Sequence, residues 1–127
     1  MLEYKTRRTA HVTILDLTGR ISLSEALAFG AGSGINLGEV IRKFVEEGHT
    51  RILLNLRDVT YIDSSGIGEL FGAHVSLQRQ GAELRLLNPN KTVRDVLKLT
   101  RLDKFIDVKD DEREAIQSFS KPVAAAG

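Results

Sequence analysis

Apolar positions along this chain follow two different spacings. Short runs of β-favouring aliphatic residues have the length of strands, and between them apolar residues recur at the i, i+3, i+4 spacing of a helix face. The predicted strands are Leu2 to Arg8, Val12 to Leu17, Arg51 to Leu56, Glu83 to Leu87 and Phe105 to Val108. The predicted helix faces are Leu37, Val40, Ile41, Phe44 and Val45; Ile67, Leu70, Phe71 and Val75; Val93, Val96 and Leu97; and Ala115, Ile116 and Phe119.

Turn and cap residues predict where these elements begin and end. The predicted ends are a reversal at Thr9-Ala10-His11 and the glycines Gly19, Gly48 and Gly81. The predicted helix starts are Ser22 or Ser24 for a short helix over Glu25–Phe29, Thr92 with Asp95 as a capping box, and Asp110 or Asp111 for the last helix.

The order of the predicted elements indicates the fold class. After an initial pair of strands, helices and strands alternate to the end of the chain, and such alternation requires crossover connections. We therefore predict one α/β domain over residues 1–127, with a mixed, mainly parallel sheet of about five strands and four to five helices packed against it. The core is expected over residues 2–119, and residues 120–127 are expected to form a flexible tail.

The stretch Asp63-Ser64-Ser65-Gly66-Ile67-Gly68 lies where a buried strand is expected to turn into a helix. The first backbone N–H groups of a helix lack partners, and the helix dipole there favours negative charge. A serine hydroxyl at this place is therefore suited to carry a phosphate. On these grounds alone Ser64 and Ser65 are equivalent, and a plain helix cap is the competing explanation for the whole stretch.

Composition limits the classes of function. The formal net charge is +1, from 18 basic and 17 acidic residues, so the charge gives no argument for binding nucleic acid or an anionic membrane. There is no cysteine, and therefore no disulfide or cysteine zinc site. No apolar run approaches the ~20 residues of a membrane span. A cytoplasmic domain is expected.

The segment Gly30-Ala31-Gly32-Ser33-Gly34 invites a comparison with phosphate-binding loops. A P-loop requires a lysine and then a serine or threonine after its last glycine, whereas Ile35 and Asn36 follow here. A dinucleotide-binding turn should follow a strand directly, but a predicted helix precedes this segment. We predict a flexible surface loop.

Arguments for an enzyme are weak. A nucleophile elbow needs a glycine two residues before the serine, and neither serine of the motif has one. His11, His49 and His74 lack the spacing of metal ligands, and His74 is predicted to be a half-buried packing residue. The acidic cluster Asp107, Asp110, Asp111 and Glu112 is interleaved with basic residues and predicts a solvated helix start. No catalytic residue, metal or cofactor is expected.

Tyr61-Ile62-Asp63-Ser64-Ser65-Gly66-Ile67-Gly68 resembles the signature of STAS domains, and most closely that of the free-standing anti-sigma factor antagonists. The segments Leu17-Thr18-Gly19, Gln80-Gly81-Ala82-Glu83-Leu84 and Val96–Leu102 fit the same family. The resemblance implies that the first serine after the aspartate, Ser64, is phosphorylated, with Ser65 as second choice. The kinase would be the anti-sigma factor itself, a GHKL-type serine kinase that binds only the unphosphorylated chain, and a serine phosphatase would restore binding. The implied partner-binding residues are Ser22, Asp63, Ser64, Ser65, Gly66, Ile67, Gly68 and Glu69.

Several alternatives remain open at the level of sequence. The chain could instead be a STAS domain that binds a nucleotide or another small ligand through the Gly30–Gly34 loop. Gly66 and Gly68 would suit either close approach by a partner or close packing inside the domain. Three features depart from the family pattern: Ser22 stands where many antagonists have an aspartate, Gly30–Gly34 looks like an insertion in the first helix, and Arg101 replaces a common glycine.

Overall fold

Five strands form one mixed sheet in the order β1-β2-β3-β4-β5 in the computed structural model, which describes residues 2–22 and 36–119. β1 and β2 are antiparallel, and the other neighbours are parallel. The strands are β1 (Leu2–Thr9), β2 (Val12–Ile21), β3 (Arg51–Ile62), β4 (Glu83–Leu87) and β5 (Val108–Lys109). The helices are α1 (Leu37–Glu46), α2 (Ser64–Arg79), α3 (Lys91–Leu99) and α4 (Glu112–Ser118), with a 3₁₀ turn at Leu102–Lys104. The predicted α/β class and mainly parallel sheet are confirmed.

The sheet has a large core on one face and a small one on the other. Most buried aliphatic side chains lie in the large core, which the sheet forms with α1, α2 and α3. On the opposite face, Ile14, Leu53 and Leu87 pack against Ala115 and Phe119 at α4. Of the helices within residues 36–119, α1, α2 and α3 therefore cover one face, and α4 covers part of the other.

Glycines end the helices where the sequence predicts it. Gly48 and Gly81 have φ angles of 97° and 74°, which suit glycine in the residue after a helix cap. The N–H of His49 donates to the carbonyl of Phe44 at 2.9 Å, and that of Ala82 donates to the carbonyl of Leu77 at 2.8 Å. Both turns therefore satisfy helix carbonyls that would otherwise lack donors.

The prediction that Gly19 ends the second strand is wrong. Gly19 has a φ of 113°, and the pairing of β2 with β3 shifts register on both sides of it. Glycine accommodates this irregularity, so β2 continues to Ile21. β3 is also longer than predicted and runs without a break to Ile62. The two strands consequently end side by side, just before Ser22 and Asp63.

The predicted apolar face of α2 is also only partly right. The buried residues of this helix are Gly66, Leu70, Ala73 and Leu77. Phe71 is instead 40% exposed and packs edge-on against Phe105, which is 59% exposed, with ring centroids 5.4 Å apart. The face of the helix that meets the core is therefore the one with Gly66, Leu70, Ala73 and Leu77, and Phe71 lies outside it.

The structure corrects the predicted starts of α3 and β5 and confirms that of α4. Asn90, rather than Thr92 with Asp95, caps α3, because its side chain accepts a hydrogen bond from the N–H of Val93. β5 starts at Val108 rather than Phe105, because the 3₁₀ turn and its end occupy the preceding residues. Asp111 caps α4, as predicted. The predicted helix Glu25–Phe29, the Gly30–Gly34 loop and the 120–127 tail lie outside the described residues.

Arg101 adopts a left-handed backbone conformation, with φ 62° and ψ 20°. This conformation costs a residue with a Cβ about 1–2 kcal/mol. We therefore expect Arg101→Gly to raise the free energy of unfolding by about 1 kcal/mol, measured by urea denaturation. Lys98→Gly, an exposed position inside α3, is the control and should lower stability by about 1 kcal/mol. A loss of stability in both variants would contradict the assigned strain.

Candidate functional site

The candidate site lies at the carboxyl ends of two neighbouring parallel strands. Ile21 of β2 is in register with Ile62 of β3, and each strand is followed by a polar residue, Ser22 and Asp63 respectively. Helix α2 begins directly after Asp63. The strand ends and the first turn of α2 therefore meet at one edge of the sheet.

Asp63 is the centre of the hydrogen bonds at this edge. Its Oδ1 accepts from the N–H of Gly66 at 3.0 Å, which makes Asp63 the N-cap of α2, and from the Ser65 hydroxyl at 2.6 Å. Its Oδ2 accepts from the Ser22 hydroxyl at 2.6 Å and, more weakly, from the Tyr61 hydroxyl at 3.4 Å. The carboxylate thus joins β2, β3 and α2, so its capping role is established by geometry.

Ser64 differs from its two neighbours. It is the first residue of α2 and is exposed, whereas Asp63 and Ser65 are half-buried and bonded to each other. Within the described ranges 2–22 and 36–119, the Ser64 side chain makes no hydrogen bond. The two serines that are equivalent in the sequence are therefore distinct in the structure, and Ser64 is the accessible hydroxyl of the motif.

The described structure requires glycine at position 66 but does not require it at position 68. A Cβ at Gly66 would lie 2.2 Å from the backbone oxygen of Ile21 and 3.0 Å from Cγ1 of Ile62, far inside van der Waals contact. A Cβ at Gly68 would meet nothing within 4 Å, and this residue is exposed. Packing inside the domain accounts for Gly66. The described part of the fold gives no such reason for Gly68.

Glu69 connects α2 with the start of α1. Its Oε2 accepts a hydrogen bond from the N–H of Gly38 at 3.2 Å, and the side chain is half-buried. Burial raises the pKa of Glu69, the backbone N–H groups of Gly38 and Leu37 oppose this, and the nearby charge of Asp63 adds to it. Ile67, also half-buried, packs against the core. Ile67 and Glu69, both predicted to bind the partner, therefore also hold α2 against the rest of the domain.

The pKa of Glu69 makes stability depend on pH in a defined direction. Because this pKa is higher in the folded chain, the stabilising contribution is complete below the unfolded pKa of about 4.3 and is lost as pH rises through the folded value. We expect the free energy of unfolding of the wild-type chain, relative to Glu69→Gln, to fall between pH 4 and pH 7. Urea denaturation across this interval measures the difference. Parallel pH curves for the two chains would contradict the raised pKa.

The other candidate residues from the sequence have structural explanations. Burial, followed by the nearby charge of Arg85, lowers the pKa of His74, and its Nδ1 is buried without a hydrogen-bond partner in the described residues. In the acidic cluster Asp110 pairs with Arg94, Asp111 caps α4, and Glu112 pairs with Arg7 at 2.8 Å. No group of three potential metal ligands occurs in the part of the chain that the structure describes.

Sequence reasoning did not identify Arg20 and Tyr61 as a pair at this site. They are register partners on β2 and β3, and the Arg20 guanidinium lies over the Tyr61 ring, 4.2 Å from its centroid. Tyr61 in turn reaches Asp63 through its hydroxyl. The pairing depends on the strand register beyond the irregularity at Gly19, which no local sequence pattern discloses.

Among the described residues, no helix is long and apolar enough to cross a membrane.

Comparison with known proteins finds the STAS domain, which matches residues 3–115. The chain is 31% identical over 113 residues to the anti-sigma-B factor antagonist of Listeria monocytogenes, covering 89% of this chain and 91% of that protein. It is 35% identical over 82 residues to a candidate anti-sigma factor antagonist of Thermotoga maritima, covering 65% of this chain and 73% of that protein. A crystal structure of a candidate antagonist from T. maritima has a TM-score of 0.74 and 28% identity, covering 90% of this chain and 92% of that one.

Proposed function

Because the chain belongs to the STAS domain family, we propose that it is an anti-sigma factor antagonist controlled by phosphorylation of Ser64. In this proposal the unphosphorylated chain binds an anti-sigma factor and so releases a sigma factor. Phosphorylation of Ser64 ends that binding. The names of the similar proteins from Listeria and Thermotoga support the antagonist role.

The exposed Ser64 hydroxyl is the observation that supports the switch most directly. The hydroxyls of Ser22 and Ser65 instead donate to Asp63, so their modification would break hydrogen bonds that hold the site together. A phosphate on Ser64 would instead project from the first residue of a helix, where the dipole tolerates negative charge. The chain could therefore change its charge by about −1.5 to −2 without losing its fold.

The proposed partner-binding surface consists of the exposed positions Ser64 and Gly68 and their surroundings. Gly68 leaves open space above the helix backbone, and a partner backbone could approach closely there. Asp63, the N-cap of α2, and Ser22, which donates a hydrogen bond to it, fix the start of the helix. Ser65, Ile67 and Glu69, which are half-buried, border this surface, and the buried Gly66 supports it by keeping α2 against the end of β2.

The proposed partners are proteins. The anti-sigma factor would also be a GHKL-type serine kinase, which transfers the γ-phosphoryl group of ATP to Ser64 Oγ and releases ADP, while the hydroxyl proton is lost. A serine phosphatase would hydrolyse the phosphoserine and restore binding. We propose a cytoplasmic regulatory module with no catalytic residue, cofactor, metal, nucleic acid or membrane among its requirements.

A phosphorylation experiment tests this proposal. The full chain is incubated with a cognate GHKL-type serine kinase and ATP, and the phosphate is located by mass spectrometry. We expect one phosphate, on Ser64, in the wild-type chain and none in Ser64→Ala. Ser65→Ala is the matched control and should still be phosphorylated on Ser64. Phosphate on Ser65 in the wild-type chain would refute the assignment of Ser64.

A further inference from the structure

We propose that Phe71 and Phe105 form the apolar anchor by which the anti-sigma factor holds the unphosphorylated chain. This inference rests on the proposed function, because its partner is the protein kinase that would act on Ser64. It assigns a binding role to two aromatic side chains that lie on the surface of the domain.

Phe71 lies on the same exposed side of α2 as Ser64. Residues three or four positions apart share a face of a helix, and Gly68 comes four positions after Ser64 and three before Phe71. All three residues are exposed. The buried residues of this helix are Gly66, Leu70, Ala73 and Leu77. Ser64 and Phe71 therefore belong to one outward-facing stripe of α2.

The distance along the helix places Phe71 inside an interface centred on Ser64. The two residues are seven positions apart, which at a rise of about 1.5 Å per residue is about 10 Å along the helix axis. A stable protein–protein interface buries about 800 Å² on each partner, a patch roughly 30 Å across. A kinase that brings the γ-phosphate of ATP to Ser64 Oγ must lie against this part of the chain. Its contact surface therefore includes the Phe71 ring.

Phe71 and Phe105 together form an exposed pair of aromatic rings. Phe71 is 40% exposed and Phe105 is 59% exposed, and the rings meet edge-on with centroids 5.4 Å apart. Because Phe105 ends the 3₁₀ turn, the contact joins two separate elements and holds each ring in place before a partner arrives. Aromatic residues are enriched at protein interfaces, and ordered side chains bind at a lower entropic cost.

This arrangement also describes the surface of the partner. The anti-sigma factor should present an apolar cleft for the two rings about 10 Å from the place where the γ-phosphate of its ATP meets Ser64. The rings would then supply affinity at one end of the contact, and Ser64 would control it at the other. A charge added at Ser64 acts on the second part and leaves the aromatic pair unchanged.

Calorimetric titration of the full unphosphorylated chain into the anti-sigma factor tests the inference. Phe71→Ala and Phe105→Ala should each weaken the affinity by about 10-fold or more, because each removes one ring of the anchor. In phosphorylation assays with the same protein and ATP, both variants should raise the KM for the chain and leave kcat unchanged. That pattern is expected of a binding contact that does not touch the reacting atoms.

Tyr4→Ala is the matched control. Tyr4 is 37% exposed and also packs edge-on against a phenylalanine, Phe44, but it lies on β1, at the opposite end of the sheet from β5. It should leave the affinity unchanged. Circular dichroism checks that each variant is folded, and if Phe71→Ala does not fold, the more exposed Phe105 decides the question alone.

Two kinds of negative result have different meanings. Wild-type affinity in the folded phenylalanine variants would overturn the inference and leave the proposed function intact, and so would an equal loss of affinity in Tyr4→Ala. If the wild-type chain did not bind the anti-sigma factor, the proposed function would be refuted, and the inference with it.

Discussion

Gly66→Ala is expected to destabilise the chain by about 3 kcal/mol or more, measured by urea denaturation. The added Cβ would lie 2.2 Å from the backbone oxygen of Ile21 and 2.9 Å from its carbonyl carbon. These are backbone atoms of the last residue of β2, which pairs with Ile62 of β3, so they cannot rotate away as a flexible side chain would. Overpacking that displaces the backbone typically costs about 1–3 kcal/mol, and this contact is unusually close.

Gly68→Ala separates this packing effect from the general effect of glycine in a helix. It lies on the same helix, and its Cβ would meet nothing within 4 Å. We expect this variant to be more stable than wild type by about 0.5–1 kcal/mol, because alanine favours the helix over glycine. Similar stability changes in Gly66→Ala and Gly68→Ala would contradict the distinction between the two glycines.

Ser64→Asp is expected to weaken binding of the anti-sigma factor by about 100-fold or more. An added carboxylate at the centre of a desolvated interface costs several kcal/mol when no cation faces it. Ser64→Ala removes the hydroxyl without adding charge, so it should bind within a few-fold of wild type. Isothermal calorimetry measures both affinities.

Thr92→Asp is the matched control for added charge. Thr92 is an exposed hydroxyl residue in the first turn of α3, so the substitution adds the same charge at a comparable position of a different helix. It should leave the affinity unchanged. If Ser64→Asp and Ser64→Ala bound equally well, the explanation of the switch by charge would be wrong.

Much of the fold follows from local sequence signals. Gly48 and Gly81 end their helices as predicted, because a left-handed residue after a helix cap is a local requirement. Asp111 begins α4 for an equally local reason. Features that depend on strand pairing were less predictable. The continuation of β2 past Gly19 requires the register of β2 with β3, and the outward position of Phe71 depends on which face of α2 meets the core.

The candidate site was predictable in place but not in detail. The sequence indicates a phosphate-tolerant helix start at Asp63, and the structure has its N-cap there. The distinction between Ser64 and Ser65 depends on which hydroxyl Asp63 engages, which is a matter of side-chain geometry. The contact of Ser22 with Asp63 and the stacking of Arg20 on Tyr61 join residues far apart in the sequence, so they appear only in the folded chain.

The affinity of the phosphorylated chain for the anti-sigma factor tests the central claim most directly. The chain with phosphoserine at position 64 and the unmodified chain are titrated separately into the same anti-sigma factor by calorimetry. We predict tight binding of the unmodified chain and at least a 100-fold weaker affinity after phosphorylation, while circular dichroism shows both chains equally folded. Equal affinities of the two folded chains would contradict the proposed switch at Ser64.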